Sequence, residues 1–167
     1  KWKATKYYKV AANPSKEERG NVTINNSGVN TLYVLPGQEI TVTAESEGVA
    51  SFGGWYATKS GVLSEAQSSS ASVVFPVNCS IQLVAKFPVA FYVAKNGSDE
   101  NDGLSWGAPF ASLTNAIEVA DIDDIITVGD GEYVAPDKPD GIKVIMPIIV
   151  KSQNGPKKTI LKGGGSH

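Results

Sequence analysis

Alternation of apolar and polar residues predicts strands in the first half of the chain. Residues 40–44 and 81–87 each place an apolar residue at every second position, which puts the apolar set on one face of a strand. The positions predicted to point inward are Ile40, Val42, Ala44, Ile81, Leu83, Ala85 and Phe87. Residues 57–71 are polar and serine-rich, so they predict a loop or a short irregular insertion. No helix of ten or more residues is predicted before residue 88.

The apolar spacing changes from two residues to a helical period after residue 110. Leu113, Ala116, Ile117 and Ala120 recur at the three- and four-residue intervals that form one face of a helix. Ser112 stands immediately before this face and is the predicted N-cap. The sequence therefore predicts one amphipathic helix in the second half of the chain.

Two similar apolar segments follow that helix. IITVGDG begins at Ile125 and IIVKSQNG begins at Ile148, so they start 23 residues apart. Such an offset suits one turn of a solenoid, in which each coil lays a short strand on the previous one. Two occurrences indicate this arrangement but do not establish it.

Composition excludes several classes of function. The net charge is -2 and no apolar run approaches the ~18 residues of a membrane span, so neither nucleic acid nor a membrane span is expected. The chain has one cysteine, Cys79, and one histidine, His167. A structural zinc site and a Ser/His/Asp triad both need more of these residues inside the fold. Cys79 lies in a strand-like run and is expected to be an inert core thiol.

The acidic segment NGSDENDG, residues 96–103, is the candidate metal site. Its spacing fails the EF-hand pattern, but a looser calcium site formed by Asp99, Asn101 and Asp102 stays open. The alternative is a structural turn in which the Asn and Asp side chains bond their own backbone. In that turn Gly97 and Gly103 are expected to take positive φ. No other cofactor is predicted, and no catalytic residue is assigned.

Trp55 is the candidate ligand-binding residue, because an exposed indole can stack against a pyranose ring of a glycan. The favoured alternative is that Phe52 and Trp55 fill the core of a small β module. Trp2 and Trp106 have no partner pattern that indicates a binding platform.

Residues 37–44, the FGGW motif at 52–55 and residues 78–87 carry a family resemblance. Together they resemble the internalin-type B-repeat family, including its divergent members, over residues 7–87. The segment after Trp55 is longer than in compact repeats of that family. The resemblance implies a small, mostly β, β-grasp-like module of secreted or surface proteins of bacteria.

Residues 91–167 resemble a second family, through NGSDENDGLSW, the amphipathic helix, DDIITV, GEY and TILKG. The segment is similar to the N-terminal start of right-handed parallel β-helix proteins of the pectate-lyase-like class. The resemblance implies a capping helix followed by the first coils of a β-helix. That class contains polysaccharide lyases, glycoside hydrolases and surface proteins without known catalysis.

The expected architecture is therefore mostly β and divided in two. Residues 1–88 are predicted to form the B-repeat-like module, which is β-grasp-like or β-sandwich-like. Residues 89–167 are predicted to form the capping helix and first coils of a truncated right-handed parallel β-helix, with most of the solenoid beyond His167.

The expected function is a non-catalytic N-terminal region of a secreted or cell-surface bacterial protein, which acts as a spacer, an adhesive or a glycan-contacting region. A polysaccharide or a host glycan is the expected partner. The alternative is the N-terminal part of a polysaccharide lyase or glycoside hydrolase whose active site lies on later coils. A cluster of basic and acidic residues on one face of those coils would favour the alternative.

Overall fold

The computed structural model describes residues 5–59, 62–134 and 142–163. Within these ranges the protein is mostly β, with one short α-helix. The chain divides into two compact units, unit 1 from Lys1 to Phe87 and unit 2 from Pro88 to His167.

Unit 1 contains two β-sheets. Its strands are β1 (Tyr8–Pro14), β2 (Gly20–Ile24), β3 (Thr31–Val34), β4 (Glu39–Ser46), β5 (Gly54–Lys59), β6 (Val62–Ser68), β7 (Ser72–Pro76) and β8 (Ile81–Lys86), with a 3-10 turn at Glu17–Arg19. The first sheet has the order β3-β1-β8-β5-β6, and the second has the order β2-β4-β7. In the first sheet β1 and β8 run parallel, whereas the other pairings in unit 1 are antiparallel.

Side chains from both sheets meet in one hydrophobic core. The core residues are Val10, Ala12, Val22, Ile24, Val34, Ile40, Val42, Ala44, Trp55, Val77, Leu83, Ala85 and Phe87. The inward positions predicted from the alternation are confirmed: six of them are buried, and Ile81 packs against the core while partly exposed. Burial of this set is the main force that holds the two sheets together.

The prediction of a loop at residues 57–71 is wrong for residues 57–59 and 62–68, whereas residues 69–71 lie in bends and residues 60 and 61 are outside the described residues. Residues 57–59 complete β5 and residues 62–68 form β6, and the two strands pair antiparallel with register shifts near Tyr56. Because β6 is an edge strand, only one of its sides is bonded to the sheet. Natural edge strands often carry polar sequences that discourage pairing with other chains, so polarity alone was a poor guide here.

In the described part of unit 2, the elements are short parallel strands and one helix. Its elements are β9 (Ala90–Val93), α1 (Leu113–Val119), β10 (Ile125–Val128), β11 (Gly131–Val134), β12 (Ile149–Ser152) and β13 (Thr159–Lys162). One parallel sheet has the order β12-β10-β9, and a second parallel sheet pairs β11 with β13.

The strands of the three-stranded sheet align residue by residue. Ile125 pairs with Ile149, one position later than the sequence match at Ile148. Phe91, Ile126 and Val150 are aligned on one face, and the first two are buried. Val150 lies on the edge strand β12 and is 39% exposed, whereas Phe91 lies on the other edge strand, β9, against which α1 packs. Apolar side chains therefore stack across successive strands, and the stack is open at β12.

Helix α1 agrees with its sequence pattern. The hydroxyl Oγ of Ser112 accepts a hydrogen bond of 3.1 Å from the backbone N–H of Asn115, which confirms the predicted N-cap. Of the four predicted residues, Leu113, Ala116 and Ala120 are buried and Ile117 is half-buried, and the helix packs against β9 and β10. The helix thus covers part of the parallel sheet with its apolar face.

Asp124 ties two segments of unit 2 together from a fully buried position. Its Oδ1 accepts a 2.9 Å hydrogen bond from the N–H of Val89, immediately before β9. Its Oδ2 accepts a 2.7 Å hydrogen bond from the N–H of Asp121, in the turn after α1. One carboxylate thus satisfies two backbone donors that the sheet does not use.

Candidate functional site

The acidic loop between β9 and α1 is organised around Asp99. Its Oδ1 accepts hydrogen bonds from the N–H groups of Ala111 and Ser112, at 3.0 and 2.8 Å. The backbone carbonyl of Asp99 accepts a third bond from Nδ2 of Asn115, at 3.5 Å. The side chain that was a candidate calcium ligand therefore holds the loop against the beginning of the helix.

The other two candidate ligands also bond the loop itself. Nδ2 of Asn101 donates to the carbonyl of Pro109 at 2.8 Å. Oδ1 of Asp102 accepts from the N–H of Leu104 at 2.9 Å, as in an Asx turn. The structure places these side chains in one loop, and each of them has a bond to the backbone there.

Two positions of this loop require glycine, for different structural reasons. Gly103 has a φ of +69°, as predicted, and a Cβ there would overlap the ring of Phe110. The prediction of positive φ for Gly97 is wrong. Gly97 instead lies so close to the Phe110 carbonyl that a Cβ would overlap it. Contact between two backbone segments is a tertiary feature, which the local sequence does not reveal.

Trp55 is a core residue, and only 1% of its surface is exposed. Its Nε1 donates to the carbonyl of Ser70 at 3.1 Å, and its ring lies 5.7 Å from that of Phe52. Phe52 also packs against Phe87, at 6.0 Å. A sugar-stacking residue must present a ring face to solvent, and the Trp55 indole does not present one.

Trp106 is the tryptophan of the described residues that does reach solvent, with 40% of its surface exposed. Its ring packs on Tyr92 at a centroid distance of 4.8 Å and a tilt of 56°. Sequence reasoning found no partner for Trp106, because Tyr92 lies 14 residues earlier in the chain and meets it only in the fold. The usable signal was that Tyr92 stands between the inward residues Phe91 and Val93, so it must point outward.

Tyr92 begins a row of outward side chains across the parallel sheet. In register with it lie Thr127 of β10 and Lys151 of β12. Because neighbouring strands are about 4.8 Å apart, the row continues from the aromatic pair across the width of the sheet. The outer face thus combines an exposed aromatic surface with hydroxyl and ammonium donors.

The remaining sequence candidates lie elsewhere. Cys79 is exposed, so the prediction of a core thiol is wrong. It precedes β8, which begins at Ile81, and the residue is therefore outside the alternating part of the strand. Trp2 and His167 lie outside the described residues.

Comparison with known proteins finds no matching family model, no matching curated protein and no matching solved structure. Within the described ranges, no group of three or more His, Cys, Asp or Glu side chains is placed to hold a metal ion. Among those same residues, no helix is long and apolar enough to cross a membrane.

Proposed function

We propose that this chain is a non-catalytic, glycan-contacting region of a secreted or cell-surface bacterial protein. The observation that carries the proposal is the exposed indole of Trp106 packed on Tyr92. The apolar face of a pyranose ring stacks on such a surface, while the sugar hydroxyls stay available for hydrogen bonds. The resemblances to surface-protein families support the same assignment.

The outward row next to this aromatic pair suits an extended saccharide. Thr127 and Lys151 would bond hydroxyl or carboxylate groups of sugar units that follow the unit stacked on Trp106. The row supplies groups that bind a saccharide, and the proposed action is adhesion.

The proposed architecture of unit 2 is the capped beginning of a right-handed parallel β-helix. In-register parallel pairing of β9, β10 and β12 supports it, as does the helix packed on that sheet. Val150 and Leu161 continue columns whose inner members, Ile126 and Tyr133, are buried. A further parallel strand on each sheet would cover these side chains.

Binding to a glycan array, followed by titration of the retained saccharide, tests the proposal. We expect Trp106→Ala to weaken binding about tenfold, which corresponds to ~1.4 kcal/mol of lost stacking. Tyr33→Ala, which removes an exposed aromatic ring from unit 1, is the matched control and should bind like the wild type.

The same saccharide is then incubated with the protein and assayed for new reducing ends and for unsaturated products. We expect neither to accumulate. Accumulation of either product would replace the adhesive function with a lyase or hydrolase function. Lack of binding to any glycan would refute the proposal altogether.

A further inference from the structure

Unit 1 contains a polar cleft that is separate from the aromatic surface of Trp106. The cleft has a volume of about 360 Å³ and lies beside the end of β1, the 3-10 turn and the beginning of β2. Its polar side chains are those of Asn13, Glu17, Asn21, Asn30 and Glu47. We infer that this cleft is a second binding site, and that its ligand is a neutral, hydroxyl-rich molecule such as a short saccharide.

The hydrogen bonds within the cleft leave both donors and acceptors available. Nδ2 of Asn30 donates to Oδ1 of Asn13 at 2.9 Å, which leaves Nδ2 of Asn13 and Oδ1 of Asn30 for a ligand. Oδ1 of Asn21 accepts from the N–H of Val22 at 2.8 Å, which fixes the amide and leaves its Nδ2 as a donor. The bond between Asn13 and Asn30 also holds two of the ligand-binding groups in place.

The carboxylates of Glu17 and Glu47 add acceptors to the same cleft. Among the described residues, no ion pair neutralises either of them. Two negative charges disfavour a phosphate, a sulfate or an acidic sugar. Hydrogen bonds from a ligand hydroxyl to a carboxylate are charge-assisted and therefore stronger than neutral ones.

A cationic ligand would use only part of this chemistry. An ammonium group or a metal ion needs acceptors and would gain nothing from the amide N–H donors of Asn13 and Asn21. A sugar hydroxyl both donates and accepts, so it can bond amides and carboxylates together. The mixture of groups therefore favours a neutral polyol over a cation.

The shape of the cleft is also suitable for a small ligand. Its volume is within the ~300–1,000 Å³ range of small-molecule sites. Gly28 forms part of the lining, and a Cβ built on it meets no atom within 4 Å. A larger side chain at residue 28 can therefore enter open space without disturbing the core.

The inference extends the proposed glycan contact to a second site on a different unit. It concerns different residues from Trp106 and Tyr92, so the two sites can be tested separately in the full chain.

Nuclear magnetic resonance of the full chain supplies a direct test, because Asn side-chain NH₂ groups give their own signals. The probes are glucose, mannose, galactose and N-acetylglucosamine oligomers, each titrated separately, together with calcium chloride and putrescine. We expect one neutral oligomer to shift the side-chain signals of Asn13 and Asn21, and calcium and putrescine to leave them unchanged. Shifts caused only by calcium or putrescine would overturn the inference.

Two variants then locate the binding. Glu47→Gln should weaken the affinity about tenfold, and Gly28→Trp should abolish it by filling the cleft. Glu39→Gln, at an exposed carboxylate of β4, and Gln153→Ala, at an exposed amide of unit 2, are the matched controls and should bind normally. Amide spectra of the variants show whether unit 1 keeps its fold.

The outcomes separate this inference from the proposed function. Binding that survives Trp106→Ala and is lost in Gly28→Trp supports the second site. Binding that is lost in Trp106→Ala and unchanged in both cleft variants overturns the second site and leaves the proposed function intact. If no oligomer binds the wild type, the cleft inference fails, and failure on the glycan array as well removes the proposed function.

Discussion

At the scale of single residues, Trp55 shows how one large aromatic side chain supports a small β unit. Its ring is buried among the side chains of both sheets, and its Nε1–H is bonded to Ser70. We expect Trp55→Ala to lower the free energy of unfolding by about 3–5 kcal/mol, because it leaves a cavity in the core. Urea denaturation followed by circular dichroism measures this change.

Trp106→Ala is the comparison for this experiment. Because Trp106 is 40% exposed, its replacement should lower the free energy of unfolding far less. A loss below about 1 kcal/mol for Trp55→Ala would contradict its assignment to the core.

Tyr133 makes the stability of unit 2 depend on pH in the alkaline range. Burial raises the pKa of its hydroxyl above the ordinary value, and the negative charge of Asp130 raises that pKa further. The hydroxyl donates to the carbonyl of Val93 at 3.5 Å. Because the unfolded chain loses this proton first, the stabilisation is complete below the ordinary tyrosine pKa of ~10 and is lost as pH rises through the folded pKa.

We therefore expect Tyr133→Phe to reduce the loss of stability above pH ~10, while it changes stability little at neutral pH. Urea midpoints measured across this pH range for both proteins test the expectation. An equal decline of the urea midpoint in the wild type and in Tyr133→Phe would show that the other tyrosines, and not Tyr133, control the alkaline transition.

At the scale of elements, Asp124 fixes the positions of β9 and of the turn after α1. Asp124→Ala removes the acceptor of two buried backbone N–H groups, at Val89 and Asp121. Since each unsatisfied donor costs about 1–3 kcal/mol, we expect a loss of about 3 kcal/mol and faster hydrogen exchange at these two amides. Asp124→Asn keeps one acceptor oxygen, so it should fall between the wild type and Asp124→Ala.

A different order of stability among the wild type, Asp124→Asn and Asp124→Ala would show that Asp124 acts through its charge or its packing. Unchanged exchange at Val89 would show that the carboxylate does not hold the start of β9.

Some of these elements could be predicted from the sequence and others could not. The face of α1, its cap at Ser112 and the inward residues of β4 follow from local period and capping, and all three are observed. The strand β6 was missed because pairing with β5, and not the serine-rich sequence of the segment, determines its backbone.

At the scale of the whole molecule, the mostly β class was predictable and the sheet order was not. Composition and alternation indicate strands, but the placement of β1 between β3 and β8 depends on contacts between distant segments. The candidate site shows the same limit. The sequence favoured a core position for Trp55, which is observed, but it offered no partner for Trp106, whose pairing with Tyr92 is a tertiary feature.

Calcium binding by the acidic loop would change the stability of the whole molecule. In the acidic loop, Oδ1 of Asp99 and Oδ1 of Asp102 already accept backbone hydrogen bonds, and Asn101 donates to Pro109. An ion that bound only the folded state would raise the melting temperature by mass action. The Oδ1 atoms already have N–H partners, so these two carboxylates offer mainly their Oδ2 atoms to an ion that takes about six to eight oxygen ligands, and we expect weak calcium binding.

The melting temperature should therefore agree within about 1 °C in millimolar calcium and in excess chelator, since a shift of that size corresponds to a few tenths of a kcal/mol. Asp99→Asn serves as the partner measurement, because it keeps an oxygen that can accept from Ala111 and Ser112 and removes the negative charge that calcium needs. A rise of several degrees in calcium that disappears in Asp99→Asn would establish the loop as a metal site. Equal melting curves for both proteins in both solutions would remove the calcium hypothesis.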